Sequence, residues 1–147
     1  MKILAVASGG GHWIELLRLR PAFGGHTVHY VPVQEEYGAD VRGSGFSVVR
    51  DATQWQRLAL AIQALQIAWI VLRFRPDVVI STGAAPGFFA LRFGRFLGAR
   101  TIWLDSLANV DVLSRSGQMA GAHADLWLTQ WPDLASEPGP VYHGKVI

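Results

Sequence analysis

Ser8-Gly9-Gly10-Gly11-His12 is the stretch that decides the fold of this chain. It follows the nearly unbroken apolar run at residues 2–7, which is typical of a strand buried on both faces of a parallel sheet. In the segment after it, residues 12–20, Ile14 and Leu17 fall at helical spacing. The predicted unit is therefore strand, glycine turn, helix. Such a turn presents backbone N–H groups at a helix N-terminus, a site suited to phosphate or pyrophosphate.

The turn differs from two common phosphate-binding motifs. Ile14 stands where the third glycine of the dinucleotide motif G-x-G-x-x-G would fall, and no Gly-Lys-Ser/Thr of a P-loop follows. His12 lies at the predicted helix start, where its side chain can reach a bound group. The alternative is a tight turn that carries a surface histidine.

Composition indicates one folded domain over residues 1–147. Half of the residues are hydrophobic and 16% are charged, which argues against disorder. The absence of cysteine excludes disulfides and thiolate metal sites, and is compatible with a reducing cytoplasm. The first residues lack the layout of a signal peptide, and no stretch reaches the roughly 20 apolar residues expected of a spanning helix.

Charge is unevenly distributed although the net charge is only +2. Residues 57–100 contain six arginines and one acid, Asp77, whereas residues 101–147 contain five acids and two bases. The middle third can therefore face an anionic partner. The alternative is a scatter of solvated arginines at helix ends.

Strand and helix patterns alternate along the chain. Strands are predicted at residues 2–7, 27–33, 46–49, 77–81, 101–104 and 126–129, with a last strand or docking tail at 141–147. Helices are predicted at residues 12–20, from 53 or 54 to 74, and at 88–97 and 111–122. This alternation predicts an α/β fold with a parallel sheet. Polar turns at residues 8–12, 81–87 and 105–109 would then meet at the carboxyl ends of the strands, where ligands bind.

Two predicted helices are unusually apolar. Residues 58–74 contain three polar side chains, and we assign their core-facing stripe to Ile62, Leu65, Trp69 and Leu72. A helix that is apolar all round is buried in a core or dimer interface, or contacts lipid or a partner.

The second helix mixes aromatic residues with arginines, a composition that predicts contact with a membrane surface. The alternative is an ordinary amphipathic helix packed on the sheet. The predicted membrane-contact residues are Phe88, Phe89, Arg92, Phe93, Arg95 and Phe96.

The motifs of this chain, taken in order, resemble the acceptor-side subunit of two-subunit glycosyltransferases. The resemblance covers nearly the whole chain. Its members include the membrane-associated subunit of the eukaryotic N-acetylglucosaminyltransferase that acts on dolichyl-pyrophosphate-N-acetylglucosamine, and bacterial subunits of exopolysaccharide and capsule assembly. The motifs are the glycine turn with Glu15, then residues 75–83, 104–106, 113–117, 129–132 and 141–145.

The resemblance implies a Rossmann-like parallel sheet equivalent to the N-terminal half of a GT-B glycosyltransferase. It implies a separate nucleotide-sugar-binding subunit as partner, a lipid-pyrophosphate saccharide as acceptor, and transfer from a nucleotide sugar such as a UDP-sugar. We expect peripheral attachment to the cytoplasmic face of a membrane, no nucleic-acid partner, no cofactor and no metal. The eukaryotic subunit has an N-terminal spanning anchor that we do not find here.

Site residues follow from the same resemblance. His12 is the first candidate for the base that deprotonates the acceptor, since histidine exchanges protons near neutral pH, and Asp105 is the second or orients the acceptor. Asp105 stands where relatives often carry Glu. The residues expected to bind the acceptor and its diphosphate are Ser8, Gly9, Gly10, Gly11, Gly83, Gly87 and Asn109.

Two other classes of function remain open at this point. One is a free-standing nucleotide-binding module that uses Glu35 or Glu36 on a ribose, which the missing third glycine disfavours. The other is a non-catalytic scaffold that anchors a partner to the membrane.

Overall fold

Seven parallel strands form one sheet in the spatial order β3-β2-β1-β4-β5-β6-β7, in a computed structural model that describes residues 1–147. The strands are β1 Lys2–Val6, β2 Thr27–Val31, β3 Gly45–Phe46, β4 Val78–Ser81, β5 Arg100–Leu104, β6 Leu126–Thr129 and β7 Val141–Tyr142. The helices are α1 Gly11–Arg18, α2 Arg57–Phe74, α3 Ala84–Phe96 and α4 Arg115–Ala120. Short 3₁₀ turns occupy Arg20–Phe23, Glu35–Val41, Gly121–His123 and Pro132–Leu134. The predicted α/β fold with a parallel sheet is confirmed.

Helices cover both faces of the sheet, as the continuous apolar strands require. On one face, Trp13 and Leu16 of α1 pack on the strands in a cluster with Ile3 and Ile80. On the other face, α2, α3 and α4 bury a larger cluster centred on Trp103. The central strands β1, β2, β4 and β5 therefore contribute alternate residues to two separate cores.

The strand order reverses between β1 and β4. From β1 the chain moves outward to β2 and β3, and then returns through α2 to β4, which pairs with β1 in the register Val6 to Ser81. The turns that follow β1 and β4 consequently leave the same edge of the sheet side by side. In doubly wound folds this reversal is where ligands bind.

Several element boundaries differ from those predicted, and α2, for example, begins at Arg57 instead of residue 53 or 54. Helix α3 begins at Ala84 instead of residue 88, because Pro86 lies in the first helical turn, where a missing N–H needs no acceptor. Helix α4 begins only after Ser114, whose side chain accepts a hydrogen bond from Gly117 N. Strand β3 is limited to Gly45–Phe46 instead of residues 46–49. The last segment forms a strand, Val141–Tyr142.

The core-facing stripe predicted for α2 is wrong. Leu65, Trp69 and Leu72 are 72%, 63% and 53% exposed, whereas the buried side consists of Ala59, Gln63, Ile67 and Val71. Both sides of this helix are apolar, so periodicity alone could not select the buried one. The sheet selects the side with the smaller residues, and Gln63 is accommodated because its Nε2 donates to Arg50 O at 2.8 Å.

Helix α2 is also the one helix that is long and apolar enough to cross a membrane, by length and composition only. We expected no stretch long and apolar enough to span a membrane, and that expectation missed α2. Only 22% of its residues are buried within the domain, although Ile67 and Val71 are fully buried against the sheet. The outer side of α2 is thus an apolar surface on a helix that belongs to the fold.

We predict that Gly94→Ala destabilises the protein by about 1–3 kcal/mol, since the new methyl overpacks the core. A Cβ at Gly94 would lie 2.5 Å from Cγ2 of Val79, whose β-branched side chain cannot turn away. In a free helix the same substitution would stabilise by about 1 kcal/mol. Urea unfolding of Gly94→Ala, Val79→Ala and the double variant measures the effect. Additive losses in the double variant would contradict a steric origin.

Candidate functional site

The turns after β1 and β4 are joined by two reciprocal hydrogen bonds. His12 Nδ1 lies 3.0 Å from Thr82 O, and Thr82 Oγ1 donates to His12 O at 2.6 Å. The bonds connect residues 70 positions apart in the sequence and hold the start of α1 against the turn before α3. The predicted convergence of these two turns is confirmed.

The hydrogen bond to Thr82 sets the tautomer of His12. A carbonyl oxygen can only accept, so Nδ1 carries the proton and donates to it. Nε2 is then the nitrogen with a free lone pair. The ring is partly buried, and its geometry is that of a histidine oriented to accept a proton through Nε2.

Glycine is required at two positions around this histidine. A Cβ on Gly83 would fall on the His12 imidazole, and Gly83 also has a φ of 151°. Gly87 is buried, and its Cβ would fall on Ser81 Oγ, so it allows α3 to pack on the end of β4. Glycine at position 87 is therefore required by packing within the fold. Ala84, with a φ of 65°, holds a conformation that costs a non-glycine residue about 1–3 kcal/mol.

Not every N–H of the first glycine turn is available to a ligand. Gly10 N donates to the Tyr37 hydroxyl at 2.9 Å, and the same tyrosine ring stacks on Trp13 with centroids 4.9 Å apart. Gly11 and His12 begin α1, and no side chain caps their N–H groups. We predicted that Gly9, Gly10 and Gly11 present N–H groups to an anion. The N–H groups available are those at the start of α1, and the N–H of Gly10 is not among them.

The start of α3 is a second uncapped helix N-terminus at the same edge of the sheet. No side chain accepts a hydrogen bond from its first turn, and Gly83 N is already bonded to Ser81 Oγ at 3.1 Å. The N-termini of α1 and α3 both carry partial positive charge. Their juxtaposition through His12 and Thr82 gives one edge suited to a group with two negative phosphates.

Asp105 is a buried structural centre and is not positioned as a base. It is 1% exposed, and its two carboxylate oxygens accept four hydrogen bonds. The donors are Trp103 Nε1 at 3.1 Å, Asn109 Nδ2 at 3.0 Å, Ser114 N at 2.9 Å and Ser114 Oγ at 2.5 Å. A carboxylate engaged in this way folds the segment between β5 and α4.

Asn109 shares this structural role, since its amide nitrogen is committed to Asp105. Glu15, 5% exposed on α1, accepts from Leu107 N at 2.8 Å and from Ser106 Oγ at 3.3 Å. Its second oxygen, Oε2, is buried without a partner. The turn after β5 is thereby joined to α1, so all three predicted polar turns lie at one edge.

The residues predicted to touch a membrane divide into three groups. Phe88 is 9% exposed and belongs to the core, so its prediction as a surface residue is wrong. Phe96 is 88% exposed, and Arg92 and Arg95 are exposed beside it, with Arg95 held by Asp125 at 2.7 Å. Phe89 and Phe93 are partly buried and stack on each other.

Two other histidines have pKa values shifted by their surroundings. Burial lowers the pKa of His29, whose Nε2 lies 2.8 Å from Ser47 Oγ. Burial, reinforced by Arg92 and Arg95, lowers the pKa of His123. No group of three His, Cys, Asp or Glu side chains is arranged to hold a metal ion.

Several residues of the site could not be selected from the sequence. Thr82 and Tyr37 form hydrogen bonds with His12 and Gly10 from distant segments, and the residues around them in the sequence do not indicate these bonds. The sequence signal for Glu15 was its place in the glycine-turn motif, since helical position does not select it: Ile14, one residue earlier, is 51% exposed. Such a buried acid needs a partner from another element.

The sheet, its reversal point and the paired helix N-termini define a Rossmann-like domain of the type that forms the N-terminal half of GT-B glycosyltransferases. No family model matches the chain. The solved structure of Acinetobacter baumannii MurG superimposes with a TM-score of 0.77 at 12% identity, over 95% of this chain and 44% of MurG. This chain therefore spans less than half of that protein.

Curated proteins with similar sequences are glycosyltransferase subunits. The chain is 29% identical to the UDP-N-acetylglucosamine transferase subunit ALG14 of Eremothecium gossypii, over 90% of this chain and 74% of that protein. It is 27% identical to the ALG14 subunit of Rattus norvegicus, over 99% of this chain and 82% of that protein. The resemblance found from the motifs is confirmed.

We predict that Asp105→Asn lowers the free energy of unfolding by about 2–4 kcal/mol, because the amide NH₂ faces donors that it cannot satisfy. Asp111→Asn, at an exposed position nearby, should change it by less than about 0.5 kcal/mol. Urea denaturation of both variants makes the comparison. If the stability of Asp105→Asn were unchanged, Asp105 would again be a candidate catalytic group.

Proposed function

We propose that this chain is the acceptor-binding subunit of a two-chain glycosyltransferase. In this proposal it binds a saccharide linked through a diphosphate to a lipid, and a separate chain brings the nucleotide sugar. The observation that carries the proposal is the edge where the N-termini of α1 and α3 flank His12.

A diphosphate suits this edge because two helix N-termini supply uncapped N–H groups and partial positive charge from two directions. Gly11 leaves the backbone accessible there, since it carries no side chain and nothing lies within 4 Å of the position a Cβ would take. The diphosphate of the lipid carrier would fix the acceptor in one orientation. Its saccharide would then extend past His12 toward the partner chain.

His12 is the group we assign to proton transfer. The acceptor hydroxyl must lose its proton as the new glycosidic bond forms, and Nε2 of His12 has the lone pair to accept it. The bond from Nδ1 to Thr82 O orients the ring and supports the imidazolium that results. Asp105 acts indirectly, by folding the segment after β5 that borders the same edge.

We assign the donor side to a partner chain, because the curated relatives are named as subunits of a UDP-N-acetylglucosamine transferase. By that similarity the donor is a UDP-sugar, and this chain alone transfers nothing. A free-standing nucleotide-binding module would instead bind NAD or UDP-sugar tightly in the absence of any partner.

With the partner present, we predict that His12→Asn lowers the transfer rate about 10²–10⁴-fold while folding is retained. The asparagine amide can replace Nδ1 as donor to Thr82 O but has nothing to replace Nε2. The assay is radiolabelled sugar transfer to a lipid-pyrophosphate acceptor, with thermal unfolding measured in parallel.

His26→Asn is the matched control, since His26 is exposed and contacts the amino terminus. It should leave the rate within about twofold, because a surface change away from the site is close to neutral. Near-normal turnover by His12→Asn would remove His12 from the mechanism. Turnover by the chain without a partner would refute the subunit assignment.

Membrane attachment belongs to the same proposal, as peripheral binding to the cytoplasmic face. The outer side of α2 exposes Leu65, Trp69 and Leu72, and α3 adds Phe96, which is 88% exposed. Arg73 lies over the Trp69 ring at 5.8 Å, and Arg92 is exposed near Phe96. Apolar side chains beside arginines are the composition of a surface that binds anionic lipid.

We predict that Trp69→Ser and Phe96→Ser each weaken binding to vesicles that contain anionic phospholipid, because buried apolar area is lost. Arg92→Gln should weaken it about fivefold, from about 1 kcal/mol per arginine, and the loss should shrink as salt is raised. Vesicle co-sedimentation measures all three.

Ile14→Ser is the control, since Ile14 is 51% exposed on the opposite face of the sheet. An equal loss in Ile14→Ser would contradict a defined membrane face.

A further inference from the structure

A groove of about 430 Å³ lies between α2, α3 and α4. Seven of its ten lining residues are hydrophobic, among them Leu60, Phe89 and Met119. Its volume falls within the range of small-molecule sites, roughly 300–1,000 Å³. The groove is therefore large enough to enclose part of an apolar ligand.

One end of the groove is the start of α3. Ala84 and Ala85, the first residues of that helix, line it directly. The groove therefore begins at the helix terminus that we assigned to the diphosphate. A chain esterified to that diphosphate would enter the groove with its first carbon atoms.

Arg115 is the only charged residue in the lining. It is the first residue of α4, and its Nη1 donates to Gln54 Oε1 at 2.8 Å across the groove. The Ser114 cap that positions it is itself bonded to the buried Asp105. An anion bound beside Arg115 would gain a guanidinium partner, and a guanidinium suits a phosphate.

Aromatic side chains continue from the groove along α3 toward the exposed face. Phe89 stacks on Phe93 with centroids 6.2 Å apart, and Phe93 lines the next cavity together with Arg92 and Phe96. An apolar chain leaving the groove would thus meet an apolar path toward the proposed membrane face. The groove therefore combines one charged side chain with an apolar continuation along α3.

We propose that this groove holds the first isoprenoid units of the lipid carrier, and that Arg115 binds the phosphate to which they are attached. The inference rests on the proposed function, since it takes the acceptor to be a polyprenyl pyrophosphate. In this proposal the chain recognises the lipid as well as the diphosphate. Selectivity for the carrier would then depend on apolar residues outside the catalytic edge.

Binding of three probes to the isolated chain tests the inference: inorganic pyrophosphate, geranyl pyrophosphate and farnesyl pyrophosphate. Calorimetry should show affinity rising at least about tenfold from pyrophosphate to farnesyl pyrophosphate, since each added isoprenoid unit buries apolar surface. Met119→Gln and Leu60→Gln should reduce that rise to about threefold or less, because a polar amide would be left in the groove.

Ile14→Gln is the matched control for Met119→Gln. Ile14 is 51% exposed and Met119 50%, but Ile14 lies on the opposite face of the sheet, outside the groove. It should keep the full dependence on chain length. Arg115→Gln should weaken all three probes by a similar factor, about fivefold to tenfold, and leave their ratio unchanged.

Equal affinity for the three probes would overturn the groove inference, and so would a chain-length dependence that survives both groove variants. In either case intact pyrophosphate binding would leave the proposed function standing. Conversely, binding of farnesyl pyrophosphate that Met119→Gln weakens, with no binding of pyrophosphate itself, would support the groove and count against the diphosphate site.

Discussion

The reciprocal hydrogen bonds between His12 and Thr82 are the constraint on which the rest of the site depends. They join the ends of β1 and β4, the two strands between which the sheet reverses its order. Because of them, two helix N-termini face one edge and a single imidazole stands between them with Nε2 free. Without Gly83 the ring would have no space, so a glycine far along the chain determines where the histidine lies.

Buried polar groups organise the other side of the same edge. Asp105 and Glu15 are both nearly inaccessible, and each accepts hydrogen bonds from a segment that has no regular structure of its own. A backbone segment buried near a sheet needs partners for its N–H groups, and these carboxylates provide them. The chain uses acids here to fold a loop, and that loop in turn sets the position of α4 and Arg115.

Helix α2 shows how one element can serve two surfaces. Its buried side packs on the sheet through Ile67 and Val71, and its outer side leaves Leu65, Trp69 and Leu72 exposed. Apolar residues on both sides of a helix that is part of a folded domain indicate a second contact outside the domain. In the proposed function that contact is the membrane.

The sequence by itself determined the α/β class, the parallel strands, the glycine turns and the family resemblance, because these depend on local patterns of apolar residues and glycine. It also selected His12 correctly as a residue of the edge. Only the tertiary structure decided which side of α2 is buried, that Phe88 lies in the core, and that Asp105 is saturated with hydrogen bonds. The reason is physical: burial and hydrogen-bond partners are set by segments distant in the chain, such as Thr82 for His12 and Leu107 for Glu15, and local periodicity does not indicate them.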